Sequence, residues 1–129
     1  MTYAEMLTKK SQLSEQEKTF YSALNWGFTD EIQENLKNIS TLDYEIIRAD
    51  QPSMHNICTN LNIMKLVFPL LTEDEKRDLI SYAIYYHCYA TGIIKWIITE
   101  QRHLLTAKNV LEMLNACHCY NSNINFLYS

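Results

Sequence analysis

At 129 residues the chain has the size of one domain with a sizeable core, and its 47% hydrophobic and 20% charged content is that of a globular chain rather than a disordered one. A formal charge of −4 and a pI near 5.5 argue against a nucleic-acid binder, which needs a basic face to release counterions from phosphates. Glycine and proline number two each, too few for the turns of an all-β fold or for a phosphate-cradling loop. Helix is therefore expected throughout.

The first predicted element spans residues 3–10. Ser14-Glu15-Gln16-Glu17 reads as a capping box, the hydroxyl accepting from a first-turn amide and the glutamate reaching back to the cap amide, and it opens a helix to about Trp26. Thr29 followed by Asp30 and Glu31 puts two carboxylates at the positive end of a helix running to about Asn38. Helices follow over 42–48, 53–60 and 62–71. Thr72-Glu73-Asp74-Glu75 is a second capping box, opening the longest helix, to about Tyr89. The last three are expected over 91–101, over 107–117 with Thr106 as cap, and over 122–128. Connections of two or three residues make antiparallel helix hairpins.

No apolar run reaches the length of a bilayer span, and the N-terminal stretch lacks the continuous apolar core of a secretory signal. With four cysteines and no such signal, a reducing, cytoplasmic setting is expected, without disulfides.

An internal period emerges when "ALNWGFTDEIQENL" (23–36), "MHNICTNLNIMKLV" (54–67), "IYYHCYATGIIKWI" (84–97) and "NACHCYNSNINFLY" (115–128) are laid over one another. Ile32, Ile63, Ile93 and Ile124 fall in register at steps of 31, 30 and 31 residues. Five residues earlier each unit has a small residue: Gly27, Cys58, Cys88 and Cys119. A second apolar position follows each isoleucine, at Leu36, Leu66 with Val67, Trp96 with Ile97, and Leu127 with Tyr128.

A helix–turn–helix unit of this length resembles a degenerate ankyrin repeat. "FYSALNWGFTDEIQENL" is similar to the ankyrin run leucine-histidine-x-alanine-alanine-x-x-glycine-histidine through Ala23, Gly27 and Ile32. "QPSMHNICTNLNIMKLV" is similar to its threonine-proline-leucine-histidine start through Pro52, Met54 and His55, and to its later run through Ile57, Cys58, Asn60, Asn62 and Ile63. The likeness extends over roughly residues 18–129 and is specific in the first two units. The glycine-rich β-turns between ankyrin repeats are missing, and the linkers "KNISTLDYEIIRADQ" and "LLTEDEKRD" read as helical. The expected architecture is all-α: one domain over 1–129, a capping helix in 1–14, and about four stacked ankyrin-like helix hairpins in 15–129. Another helix-hairpin solenoid, or an irregular helical domain, is the other reading.

The resemblance implies a non-catalytic protein-interaction module, an adaptor or inhibitor of a partner protein. Ankyrin-like proteins also occur among effectors that intracellular bacteria deliver into the cytosol of host cells. Exposed aromatics are the natural anchors of such a surface, because they supply large contact area at low entropic cost. The expected partner-binding residues are Phe28, Tyr85, Tyr89, Trp96 and Tyr120. Phe28, Thr59, Tyr89 and Tyr120 share one register position and would form a ridge along the turn edge. The apolar end at Ile124, Phe126 and Leu127 would allow homo-oligomerisation, since a terminal repeat needs a polar face or a cover.

The alternative is a small Cys/His metal-binding protein or cysteine-dependent enzyme. His55 and Cys58 share a helix face, with His87-Cys88 and Cys117-His118-Cys119 as further ligands. Against it, no Cys-x-x-Cys pair exists, and the cysteines fall near helix C-terminal ends, where the dipole disfavours a thiolate. No metal, cofactor, nucleic acid or membrane is expected as a partner. The Glu73–Asp78 run reads as a solvated helix face.

Overall fold

In the computed structural model, residues 2–116 are described. They form an all-α fold of nine α-helices, with no strand among the described residues. The helices are α1 Tyr3–Ser11, α2 Glu15–Trp26, α3 Thr29–Leu36, α4 Tyr44–Ala49, α5 Gln51–Thr59, α6 Leu61–Val67, α7 Glu73–His87, α8 Thr91–Glu100 and α9 Ala107–Ala116. They fall into two compact units, residues 1–71 and 72–129. The helix expected over 122–128, the Cys117-His118-Cys119 cluster, Tyr120 and Ile124 lie outside the described residues.

Local chemistry starts the helices where expected. The Ser14 hydroxyl accepts from Glu17 N at 3.1 Å, and Ser14 N donates to Glu17 Oε1 at 3.2 Å. The Thr72 box is equally reciprocal. At α9, Thr106 accepts from Asn109 N at 3.1 Å and its own N–H donates to Asn109 Oδ1 at 3.0 Å, an amide taking the place of the usual Glu. Thr29 is not a cap. The N-cap of α3 is Phe28, with no side-chain bond, because the turn before it places Phe28 in extended backbone.

One expected helix ends early, and one expected helical linker is only partly helical. The 62–71 helix stops at Val67 and continues as a 3₁₀ turn over Phe68–Leu70. Pro69 lacks an N–H, and its ring obstructs the α-helical carbonyl one turn back. Residues 37–43, expected as a helical linker, are turn and coil up to the Asp43 cap of α4.

In the first unit α2 forms a hairpin with α3, and α5 forms one with α6. The hairpins stack first helix on first helix, α2 on α5, and second on second, α3 on α6. α4 packs on α5 and α1 on α4. The core between them holds Phe20, Leu24, Ile32, Ile47, Met54, Ile57, Ile63 and Met64, all essentially fully buried. Each such side chain stabilises the fold by about 1.5–3 kcal/mol relative to exposure.

A polar seam sets the register of α2 on α5. Asn56 Nδ2 on α5 donates to the carbonyls of Leu24 and Asn25, at 2.9 and 3.0 Å, at the end of α2. Asn25 Nδ2 donates back to the Asp50 carboxylate, which also accepts from Ser53 Oγ at 2.7 Å. These bonds satisfy the carbonyls that a helix end leaves without intrahelical partners.

In the second unit α7 packs against α8 and α9 around Leu79, Ile80, Ala83, Ile84, Ile93, Ile94, Ile97, Leu104 and Met113. Ser81 Oγ accepts from Asn109 Nδ2 at 3.1 Å, joining α7 to α9. Ile32, Ile63 and Ile93, the register isoleucines within the described residues, are all buried in their units.

Candidate functional site

The α2–α3 turn is built by its glycine. Gly27 has φ +75°, and a Cβ there would lie 3.2 Å from the pinned Asn56 side chain. Gly27 N donates to Ala23 O and Leu24 O, and Phe28 N reaches Ala23 O at 3.0 Å. This is a Schellman closure, fixing the backbone on both sides of the turn. The rings flanking the glycine, Trp26 and Phe28, stack with centroids 6.3 Å apart and planes 12° apart. Both are exposed, Trp26 at 69% and Phe28 at 50%. A large apolar pair is thus displayed on a backbone that cannot readily relax to bury it.

At the corresponding turn of the next hairpin stands Thr59, whose hydroxyl donates to His55 O at 2.7 Å. It is half-buried and carries no ring, so the expected aromatic edge is interrupted within the first unit.

In the second unit the aromatics gather at the C-terminal half of α7. Tyr82 and Tyr86 have centroids 4.6 Å apart, and Tyr85 meets Tyr86 edge-to-face at 4.7 Å and 74°. Tyr85 is 68% exposed, and Tyr86 and Tyr89 are exposed as well. Tyr89 Oη lies 3.0 Å from Nδ1 of the buried His87, a bond the phenol donates when that nitrogen is unprotonated. Tyr89 is therefore anchored at its hydroxyl and by an edge contact of its ring with the His87 imidazole, with 45% of the residue exposed.

Trp96 does not belong with this set. It is 8% exposed and sits in the α8 core with Ile93 and Ile97. The register that buries Ile93 buries the ring one turn on. Trp26, Tyr82 and Tyr86 take part in the exposed clusters without having been among the expected partner-binding residues. The signal for Trp26 lay beside Gly27, where an αL helix end turns its neighbours outward.

Among the described residues His55 and Cys58 are not brought together as a site. Cys58 is buried and His55, three residues before it, is exposed. Burial pushes the Cys58 thiol up to about 12, with Arg48 only partly opposing the shift. Among the described residues no three His, Cys, Asp or Glu side chains are placed to hold a metal ion.

An open groove of about 840 Å³ lies between α1 and α4, lined by Glu5, Thr8, Lys9, Tyr44, Glu45 and Arg48 among others. Lys9 Nζ bridges Asp43 at 2.8 Å and Glu45 at 3.0 Å. The hydrogen bonds it donates to these carboxylates, Asp43 foremost, raise the ammonium above its ordinary range. Beneath this corner Tyr21 Oη accepts from Asp43 N at 2.8 Å, and burial raises its phenol. Lys9 is thus committed to holding α1 against α4.

Among the described residues no helix is long and apolar enough to cross a membrane. Comparison with family models, with curated proteins and with solved structures returns no match to this chain.

Proposed function

We propose that the chain is a non-catalytic protein-interaction module, an ankyrin-like stack of helix hairpins that acts as an adaptor or inhibitor of a partner protein in a reducing, cytoplasmic compartment. The observation that carries this reading is the Trp26–Phe28 pair, stacked and exposed on the glycine-locked turn of a well-packed hairpin. Rings already fixed in place lose little entropy when a partner covers them, and such aromatics are typical interface anchors. The stacking of α2–α3 on α5–α6, first helix on first and second on second, supports the ankyrin-like part of the reading, since it lets one hairpin bury the next. In the second unit Tyr85 and Tyr89 form a candidate surface of their own, and Tyr120 remains a candidate by register.

The alternative of a cysteine-dependent or Cys/His metal-binding protein finds no support in Cys58, a buried thiol held protonated. The test is affinity capture from the native host's extract with the intact chain and with Trp26→Ala, Phe28→Ala, Tyr85→Ala and Tyr120→Ala. The expected result is a discrete partner that at least one of these variants loses while keeping its helix content. The same capture by all four variants would sink the reading.

A further inference from the structure

A smaller cavity, of about 260 Å³, lies in the first unit where the end of α1 and its connection to α2 meet one stripe of α2. Lys10 and Leu13 line it from one side, and Lys18, Tyr21, Ser22 and Asn25 from the other. The α2 residues recur at i, i+3, i+4 and i+7, the spacing of a single helix face. Two ammonium groups thus line the cavity, and no carboxylate does.

Three of the lining groups have donors unspent on described residues. Lys10 is half-buried and pairs with no described carboxylate, whereas Lys9 beside it takes both Asp43 and Glu45. Ser22 Oγ makes no hydrogen bond to a described residue. Tyr21 Oη accepts from Asp43 N at 2.8 Å, but its own O–H donates to no described residue, although Tyr21 is only 6% exposed. Burial raises that phenol above its ordinary range, so the proton stays on it. A buried donor of this kind gains free energy when an acceptor reaches it.

The surrounding carboxylates are engaged away from the cavity: Glu17 with Ser14 N, Asp43 with Lys9, and Asp50 with Asn25 and Ser53. Lys18 pairs with Glu15 at 3.4 Å, but that carboxylate's side chain is 93% exposed, and such a surface pair is weak enough to yield the ammonium to another anion. Ammonium and hydroxyl donors converging from two sides suit a compact anion with several oxygens. The volume falls below the roughly 300–1,000 Å³ of sites that enclose drug-sized ligands, so the cavity fits a phosphate group and little of what carries it.

We propose that this cavity is a phosphate-binding site, with Lys10 and Lys18 supplying the charge and Ser22 and Tyr21 the hydroxyl hydrogen bonds. It stands on the cavity and not on the exposed aromatic turns. The same chemistry would receive a small phosphate ester or a phosphorylated side chain of a partner.

The experiment is a titration of the full isotope-labelled chain, followed by amide chemical shifts, with inorganic phosphate, with glycerol 3-phosphate and with a capped alanine–phosphoserine–alanine tripeptide. Sodium chloride, matched in ionic strength, is titrated in parallel to remove screening. Saturable shifts centred on residues 10–13 and 18–25 are expected with the phosphates and not with chloride. Lys10→Met should weaken binding by about tenfold or more and Ser22→Ala by about threefold or more, with helix content unchanged. Neither substitution touches the Asp43 or Asp50 hydrogen bonds. Tighter binding of the tripeptide than of glycerol 3-phosphate supports a phosphorylated partner as the source, and the reverse order supports a small ester. The proposal is overturned by shifts that do not saturate, that chloride reproduces or that centre outside these residues, and by unchanged affinity in both variants.

Discussion

Gly27→Ala probes how tightly the aromatic turn is locked. Two costs add. A side chain forced into left-handed backbone at φ +75° costs about 1–2 kcal/mol. The new Cβ also meets the Asn56 side chain at 3.2 Å, and that side chain is held by two hydrogen bonds to α2 carbonyls. Displacing it leaves those carbonyls short of donors, worth a further 1–2 kcal/mol or so. The sum is roughly 2–4 kcal/mol. In an Asn56→Ala background the second cost is already present, so the glycine substitution should cost only about 1–2 kcal/mol there. Native-state hydrogen exchange of the Phe20–Leu24 amides measures the opening free energy of α2 in all four proteins of the cycle. A Gly27→Ala cost below about 0.5 kcal/mol, or the same cost in both backgrounds, would refute the reasoning.

Trp96→Ala should destabilise its unit by about 3–5 kcal/mol in urea denaturation, as expected for emptying a core site, whereas Phe28→Ala should change stability by less than about 1 kcal/mol. The Cys58 thiol should react with iodoacetamide near neutral pH far more slowly than the same cysteine in the urea-unfolded chain, as read by mass spectrometry of the peptide. Because the folded chain holds that thiol protonated to about pH 12 and the unfolded chain releases the proton near 9, the unfolded state binds fewer protons between those values. Stability should therefore fall as pH rises through that window, and Cys58→Ala should flatten the slope.

Capping chemistry was the most legible layer of the sequence, because a box is a local pattern: the hydroxyl and the amide it accepts from are three residues apart and need nothing else. The Ser14 and Thr72 boxes formed as written. The carboxylates Asp30 and Glu31 also fell in the first turn of α3 as written, while the Schellman turn at Gly27 left Phe28 as its N-cap without a side-chain bond. Pro69 was visible inside an expected helix, and the missing amide it brings ended α6 at Val67.

The site was less legible, for a physical reason. A helical aromatic looks the same in a sequence whether it faces core or solvent, and the partner elements decide. Phe28, Tyr85 and Tyr89 are exposed. Trp96 is not, although its position one turn after Ile93 carried the register of a core residue. The Asn25–Asp50–Ser53 and Asn56 contacts, which lock one hairpin onto the next, join residues up to 32 positions apart and have no short-range signature.

Asp50 and Asn60 are each the entire connection between two helices, one extended residue joining α4 to α5 and α5 to α6. Such joints have no slack. One residue added at either would turn all of the following helix by roughly 100° and carry its buried face into water. Length variation in the first unit is thus confined to places such as residues 37–43, which run as turn and coil between α3 and α4. A tag or reporter peptide inserted there should leave the hairpins intact, while the same insertion beside Asp50 or Asn60 should not fold, which makes this loop the handle by which the protein can be labelled without disturbing either exposed aromatic cluster.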